Sequence, residues 1–292
     1  MKVRTGVILA AGYGTRFLPA TKAVPKEMLP LVDRPVIQYI VEEAVAAGLE
    51  HIVMVTSSAK RSVEDHFDRD TELEGVLAQK GDATALREVR RLAEIADIAF
   101  VRQKERRGIS HAVLMARRVV GNEPFALFFP DDVIFSQVPP ILQLMDVYQR
   151  YGGSVLAVQQ LPLQEVIHYG VINPEAVEER VYRVRGIVEK PCPEDAPSDL
   201  ATVGRYILSP EVWPLLERTP PGINGEIQLT DTLAMLVSEG YPLYACRYQG
   251  ERFDTGRPIG LLKASISLAL RREDIGPELK AYLSDLIQPK RP

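Results

Sequence analysis

Leu9-Ala10-Ala11-Gly12-Tyr13-Gly14-Thr15-Arg16, preceded by Val7-Ile8 and followed by Lys22 and Lys26, is the stretch that decides the fold. An apolar run of strand formers feeds directly into a glycine-interrupted turn. Gly12 and Gly14 allow positive φ and close backbone approach, so successive N–H groups there can converge on an anion. Arg16 and Lys26 add fixed positive charge beyond the turn. The pattern reads as a polyphosphate grip at the end of a first parallel strand.

Two familiar phosphate grips are excluded. A dinucleotide fingerprint needs a third glycine where Phe17 stands, and a P-loop needs Gly-Lys-Ser/Thr opening a helix. Here Pro19, Pro25 and Pro30 follow instead, so the segment is expected to be an extended, semi-rigid arm that carries Lys22 and Lys26 back over a ligand. Taken alone, a G-x-G turn with solvated cations is the commoner outcome.

Around this turn, helix-like and strand-like segments alternate. Strands are expected at 3–9, 51–56, 98–101 and 125–129, with helices at 35–47, 62–67, 70–95 and 110–120. The alternation predicts a Rossmann-like, doubly wound α/β fold with a mostly parallel mixed sheet. The second half is richer in strands (154–159, 170–173, 181–189, 201–208), as a small β-rich part would be, and helices return at 210–218, 226–239 and 258–271. One domain spanning 1–292 is expected, roughly a 1–135 half, a 136–256 half and C-terminal helices over 257–292.

Composition bounds the partners. The 292 residues are 46% hydrophobic and 25% charged, with a formal net charge of −4, so no basic surface for nucleic acid is expected. Cys192 and Cys246 have no paired spacing, which suits a reducing cytoplasm rather than a disulfide framework. No secretory signal or membrane-spanning run is legible.

Phe129-Pro130-Asp131-Asp132 places paired carboxylates after a buried strand, where open α/β sheets bind ligands. Hard oxygen donors there suit Mg²⁺, and an Asp-stabilised turn is an equal alternative. In Val188-Glu189-Lys190-Pro191, adjacent strand residues should face opposite sides, so either one points to solvent or the strand bends. Gln103 offers a donor and an acceptor that complement a uracil edge, and Gly108 would allow close approach to a ring. Ser110 is expected to cap the helix that follows, and Glu226 to sit in the first turn of another. The four histidines show no metal-ligand spacing, and no covalent nucleophile is legible.

The segment 7–39, through Ala11-Gly12-Tyr13-Gly14-Thr15-Arg16, Ala20-Thr21-Lys22-Ala23 and Pro25-Lys26-Glu27-Met28-Leu29-Pro30-Leu31-Val32-Asp33, resembles the sugar nucleotidyltransferases, most closely their bacterial UTP–glucose-1-phosphate uridylyltransferases. Gly108-Ile109-Ser110-His111-Ala112 and the run Asn224-Gly225-Glu226-Ile227-Gln228-Leu229-Thr230-Asp231 extend the likeness over nearly the whole chain. The resemblance implies that Ala10, Ala11, Gly12, Gly14, Thr15 and Arg16 contact the nucleotide together with Lys26, Gln103, Gly108 and Asp132. It further implies that Asp131 and Asp254, the latter in Phe253-Asp254-Thr255-Gly256, are Mg²⁺ ligands. Gly170, Glu189, Lys190, Val203, Gly204 and Glu226 are the implied sugar-phosphate contacts. Arg257 departs from the small or acidic residue of many relatives. UTP, glucose 1-phosphate, UDP-glucose and pyrophosphate are the implied partners, and self-association as a dimer or tetramer the implied assembly. Arg16, Lys26, Asp131, Lys190 and Asp254 are the implied catalytic set. Other nucleotidyl donors, a UDP-sugar-consuming glycosyltransferase and a non-catalytic sugar-nucleotide sensor are the rival expectations.

Overall fold

The computed structural model describes residues 2–222 and 225–287; Asn224 of the 224–231 motif lies outside them. Its strands are β1 (Thr5–Leu9), β2 (Pro30–Leu31), β3 (Arg34–Pro35), β4 (His51–Thr56), β5 (Asp97–Arg102), β6 (Phe125–Phe128) and β7 (Asp132–Phe135). Then follow β8 (Ser154–Gln160), β9 (Gly170–Glu178), β10 (Val181–Glu189), β11 (Leu200–Leu208), β12 (Leu243–Arg247) and β13 (Glu251–Asp254). Nine of them form one sheet in the order β5-β4-β1-β6-β11-β8-β12-β10-β9. The β5-β4-β1-β6 part is wholly parallel, as the alternation with helices requires. β10 and β11 are reversed, and the remaining strands share the direction of β1.

Successive strand residues feed two cores, one on each face. Ile8, Met54, Phe128 and Ile207 pack against the helices Val36–Ala46, Pro140–Tyr151 and Pro258–Arg271. Val7, Val55, Leu127 and Leu208 pack against Ile109–Met115, Val212–Arg218 and Leu229–Ser238. Strands buried on both faces explain the continuous apolar runs at 7–9 and 125–129. Each such side chain contributes about 1.5–3 kcal/mol on burial. Among the described residues, no helix is long and apolar enough to cross a membrane.

The structure corrects several local expectations. The arm after the glycine turn is not extended: it winds as single 3₁₀ turns at Thr15–Phe17, Ala20–Lys22 and Lys26–Met28. Prolines forbid a long helix there, yet each is compatible with an isolated turn. The expected helix over 70–95 is two helices, Thr71–Lys80 and Ala83–Ala93, separated by Gly81 in the left-handed region. The expected 110–120 helix likewise divides into Ile109–Met115 and Arg117–Val120. The short strands β7 and β13, not anticipated, pair antiparallel as a ribbon.

Candidate active site

A cleft of about 560 Å³ opens at the carboxyl ends of the parallel strands. β1 ends in the glycine turn, where Gly14 adopts φ 68° and a Cβ would press on the Lys26 stem at 3.0 Å. Thr21 Oγ1 donates to the Gly14 carbonyl at 2.7 Å, folding the arm back onto the turn. Ala10 and Ala11 are buried, with the Ala10 amide donating to the Val55 carbonyl at 2.8 Å, and neither lines the cleft. Arg16 lines the cleft, and among the described residues it has no ion-pair partner.

Lys26 reaches across to the turn after β6, its Nζ lying 2.5 Å from both carboxylate oxygens of Asp131. Burial alone would lower the Lys26 pKa, but the Asp131 and Glu27 carboxylates override it and the ammonium is held above its ordinary value. The Asp131 carbonyl accepts from the Thr255 amide at 2.7 Å and Thr255 Oγ1 at 2.8 Å, which docks the 254–256 turn against it. As a result, Asp131 Oδ2 and Asp254 Oδ1 each lie within 3.1 Å of the point a Cβ on Gly256 would occupy, so they stand no more than about 6 Å apart. Burial first, then the Asp132 carboxylate, raises the Asp254 pKa.

These two carboxylates fit a divalent cation. Their oxygens are hard donors facing a common point that only glycine leaves open, and Lys26 already sets a positive charge against Asp131 there. Among the described residues no three His, Cys, Asp or Glu side chains gather as a metal cage. A pair of carboxylates completed by phosphate oxygens and water is the donor set typical of magnesium.

Asp132 lines the same cleft but is engaged differently. Its Oδ2 accepts from the Gly204 amide at 2.8 Å and its Oδ1 from Arg252 Nε at 2.5 Å, so both oxygens are committed within the protein. Val203 sends its side chain into the core on the helix 36–46 face and is not among the residues lining the cleft.

The cleft is also lined by Gly170, Thr202, Glu189 and Lys190, and by Gly204 beside Asp132. The alternatives for the Glu189-Lys190 pair resolve as a bend. β10 ends at Glu189, and Lys190 takes φ 48°, a left-handed conformation uncommon for a long side chain. Its amide donates to the Tyr169 carbonyl at 2.9 Å. Both side chains then meet on one side, with Lys190 Nζ 3.3 Å from Glu189 Oε1. Thr230 Oγ1 donates to Glu189 Oε2 at 2.6 Å, fixing the carboxylate from the helix Leu229–Ser238.

Glu226 lines the cleft from the loop before this helix, not from its first turn, because the helix starts at Leu229. Ser110 does not cap: Gly108 holds that position, and the buried Ser110 hydroxyl donates to the Gln228 carbonyl at 3.0 Å. Gly108 has φ 108°, and a Cβ there would sit 2.5 Å from the Ile227 nitrogen, so glycine is required by this contact between loops. Gln103 is buried, its Nε2 donating to the Gly108 carbonyl at 3.3 Å and bonding His111 Nδ1 at 3.0 Å. It is not among the residues lining the cleft.

Arg252 and Arg205 were not anticipated. Arg252 is two residues before Asp254 on β13, and strand alternation alone puts both on the cleft side, with Phe253 turned to the core. Arg205 is fully buried and grips Glu43, while donating to the carbonyls of Phe129 at 3.2 Å and Asp132 at 2.7 Å. It therefore braces the turn that presents Asp131.

Residues 5–270 match the family described as "Nucleotidyl transferase". The chain belongs to the nucleotidyl transferase family. It is 48% identical over 285 residues to the UTP–glucose-1-phosphate uridylyltransferase of Staphylococcus epidermidis, covering 98% of this chain and 99% of that one. It is also 48% identical over 287 residues to that named YngB of Bacillus subtilis, covering 98% and 96%. Among solved structures, this nucleotidyl transferase superimposes on UTP-bound UGPase from Acinetobacter baumannii with TM-score 0.90, 40% identity and coverage of 97% and 99%. A UDP-glucose pyrophosphorylase complexed with UDP-glucose gives TM-score 0.84 at 43% identity, covering 92% and 100%. Nucleotidyl transferases of this kind generally use a divalent metal.

Proposed function

We propose that the chain transfers a uridylyl group from UTP to glucose 1-phosphate, giving UDP-glucose and pyrophosphate, with Mg²⁺. One observation carries the reading: Asp131, with Lys26 against its carboxylate, and Asp254 line the same cleft as the Glu189–Lys190 pair. Two anionic substrates brought together need cations and a divalent ion between them, and a sugar needs hydroxyl acceptors. The close relatives carry names for this reaction.

In the proposed mechanism, a phosphate oxygen of glucose 1-phosphate attacks the α-phosphorus of UTP in line, and the bond to pyrophosphate breaks. That oxygen is already ionised at neutral pH, so no protein base is required. Catalysis is positioning and charge stabilisation. The backbone of 10–15 and the Gln103–Gly108 loop hold the nucleotide. Arg16 and Lys26 steady the triphosphate and the departing pyrophosphate. Lys190 orients the attacking phosphate, and Glu189, fixed by Thr230, accepts from sugar hydroxyls. Mg²⁺ held by Asp131 and Asp254 would neutralise phosphate charge.

The reading takes 1–135 as the nucleotide half and 136–256 as the sugar-phosphate half of one domain. It includes a cytoplasmic setting and self-association as a dimer or tetramer. The test is pyrophosphate release across UTP, dTTP, ATP, CTP and GTP, each with glucose and galactose 1-phosphates, with and without Mg²⁺. Turnover greatest with UTP and glucose 1-phosphate, and lost on chelation, is expected. Tight binding of UDP-glucose without any pyrophosphate release would point to a sensor instead.

A further inference from the structure

The loop 103–108 carries an exposed arginine whose contacts all fall on the nucleotide side of the molecule. Arg106 Nε donates to the Ala11 carbonyl at 2.7 Å, and its Nη2 donates to Ser57 Oγ at 2.8 Å. Its guanidinium carbon lies 3.7 Å over the centre of the Tyr13 ring. Among the described residues no carboxylate pairs with Arg106, so its position is set by a carbonyl, a hydroxyl and an aromatic face. Tyr13 is 68% exposed and stands between Gly12 and Gly14, where a large ring gains little from burial. Three contacts from one exposed side chain thus tie together the ends of β1, β4 and β5.

From this geometry we infer that Arg106 is a positioning residue for the nucleotide, a staple that sets the distance between the turn 10–16 and the base-side loop 103–108. The inference rests on the proposed reading of the site and adds a residue to it. The Ala11 carbonyl that Arg106 holds belongs to the backbone that the proposed reading sets against the nucleotide, and Gln103 and Gly108 lie in its own loop. With the staple in place, the slot between turn and loop has one width, suited to one size and edge of base. Without it, the turn and the loop move independently, and ordering them falls to the nucleotide. A planar fork that donates to two acceptors while stacking on a ring is chemistry of arginine that lysine lacks.

The test compares the full-length chain with Arg106→Ala and Arg106→Lys. UTP affinity is measured by calorimetry, and steady-state constants by pyrophosphate release. Loss of a charge-assisted contact pair should weaken UTP binding roughly 10- to 100-fold and raise its KM in step. The KM for glucose 1-phosphate and the kcat should change little, and the preference for UTP over CTP should narrow. Arg106→Lys should behave like Arg106→Ala, since charge without the fork does not staple. Melting temperatures should fall by only a few degrees, since the lost contacts tether loops rather than the core. Unchanged UTP affinity in Arg106→Ala overturns the inference, as does full recovery in Arg106→Lys, which would make Arg106 a plain countercharge. A wild-type chain that binds no UTP would overturn the assignment of the whole site, whereas wild-type binding that Arg106→Ala retains in full removes the staple alone.

Discussion

Lys190 reaches the cleft only because its backbone leaves the strand conformation. Had β10 continued extended, its ammonium would face away from Glu189, so the left-handed φ of 48° is part of the site's construction. Lys190→Ala should therefore raise the KM for glucose 1-phosphate, with kcat/KM lowered by about 10- to 100-fold, while the KM for UTP stays near normal. Asp131→Ala and Lys26→Ala each remove a preorganised charge and should cost on the order of 10²–10³ in turnover. Near-normal pyrophosphate release by either variant would remove it from the proposed machinery. Lys26 and Asp254 stood out in the sequence through motif neighbours that resemble a family, and the structure sets both beside Asp131. Arg106 and Arg205 did not stand out, because nothing local distinguishes a staple or a buried brace from a solvated arginine. Arg252 was legible in principle, since alternation along β13 aligns it with Asp254.

At the scale of elements, ion pairs hold helices to their neighbours. Arg205, fully buried on β11, clamps Glu43 of the helix Val36–Ala46 with Nη2 2.7 Å from Oε2. Arg205→Met would leave Glu43 without its countercharge and should cost about 3–5 kcal/mol, read as a lowered melting temperature. Turnover should fall as well, since the Phe129 and Asp132 carbonyls lose their donor. A Glu43→Gln, Arg205→Met pair should regain stability but not turnover, separating the two roles of Arg205. The helix Thr71–Lys80 is held differently: Glu74 accepts from Arg69 and from Arg90 of the next helix, both at 2.8 Å. These hydrogen bonds, Arg69's first, bring the Glu74 pKa down to about 2. A depressed carboxyl stabilises the fold fully above its ordinary pKa, and that contribution fades as pH falls from there towards 2. Glu74→Gln should then be less stable than wild type at neutral pH, with the difference vanishing by about pH 2; a difference that persists at low pH would contradict the pairing. Such tethers explain why helix ends were poorly legible. Periodicity marked one helix over 70–95, but Gly81 and the caps from Asp70 and Asp82 divide it, each aspartate accepting from an amide of its own first turn.

For the molecule as a whole, the distribution of the proposed metal donors matters most. Asp131 follows β6 in the first half of the chain, Asp254 ends β13 in the second, and the Thr255–Asp131 bonds hold them together. The parallel half of the sheet was legible because strands buried on both faces write continuous apolar runs. The β7–β13 ribbon was not, because its two short strands pair across a long stretch of sequence. A divalent ion at this seam would tie nucleotide binding to the cohesion of both halves. A ligand at 100 times its Kd adds about 2.7 kcal/mol to stability, and for a chain of this size each kcal/mol raises the melting temperature by roughly 2–4 °C. UTP with Mg²⁺ should therefore raise it by roughly 5–10 °C under those conditions. UTP alone at the same concentration should do less, because the one Lys26 ammonium must then serve both the Asp131 carboxylate and the triphosphate. Asp254→Ala should erase the difference between the two conditions while keeping the metal-free shift. Differential scanning fluorimetry at fixed UTP, titrating Mg²⁺, reads this directly. Equal shifts with and without Mg²⁺ in the wild type would mean that the two carboxylates do not act as a pair on the bound nucleotide.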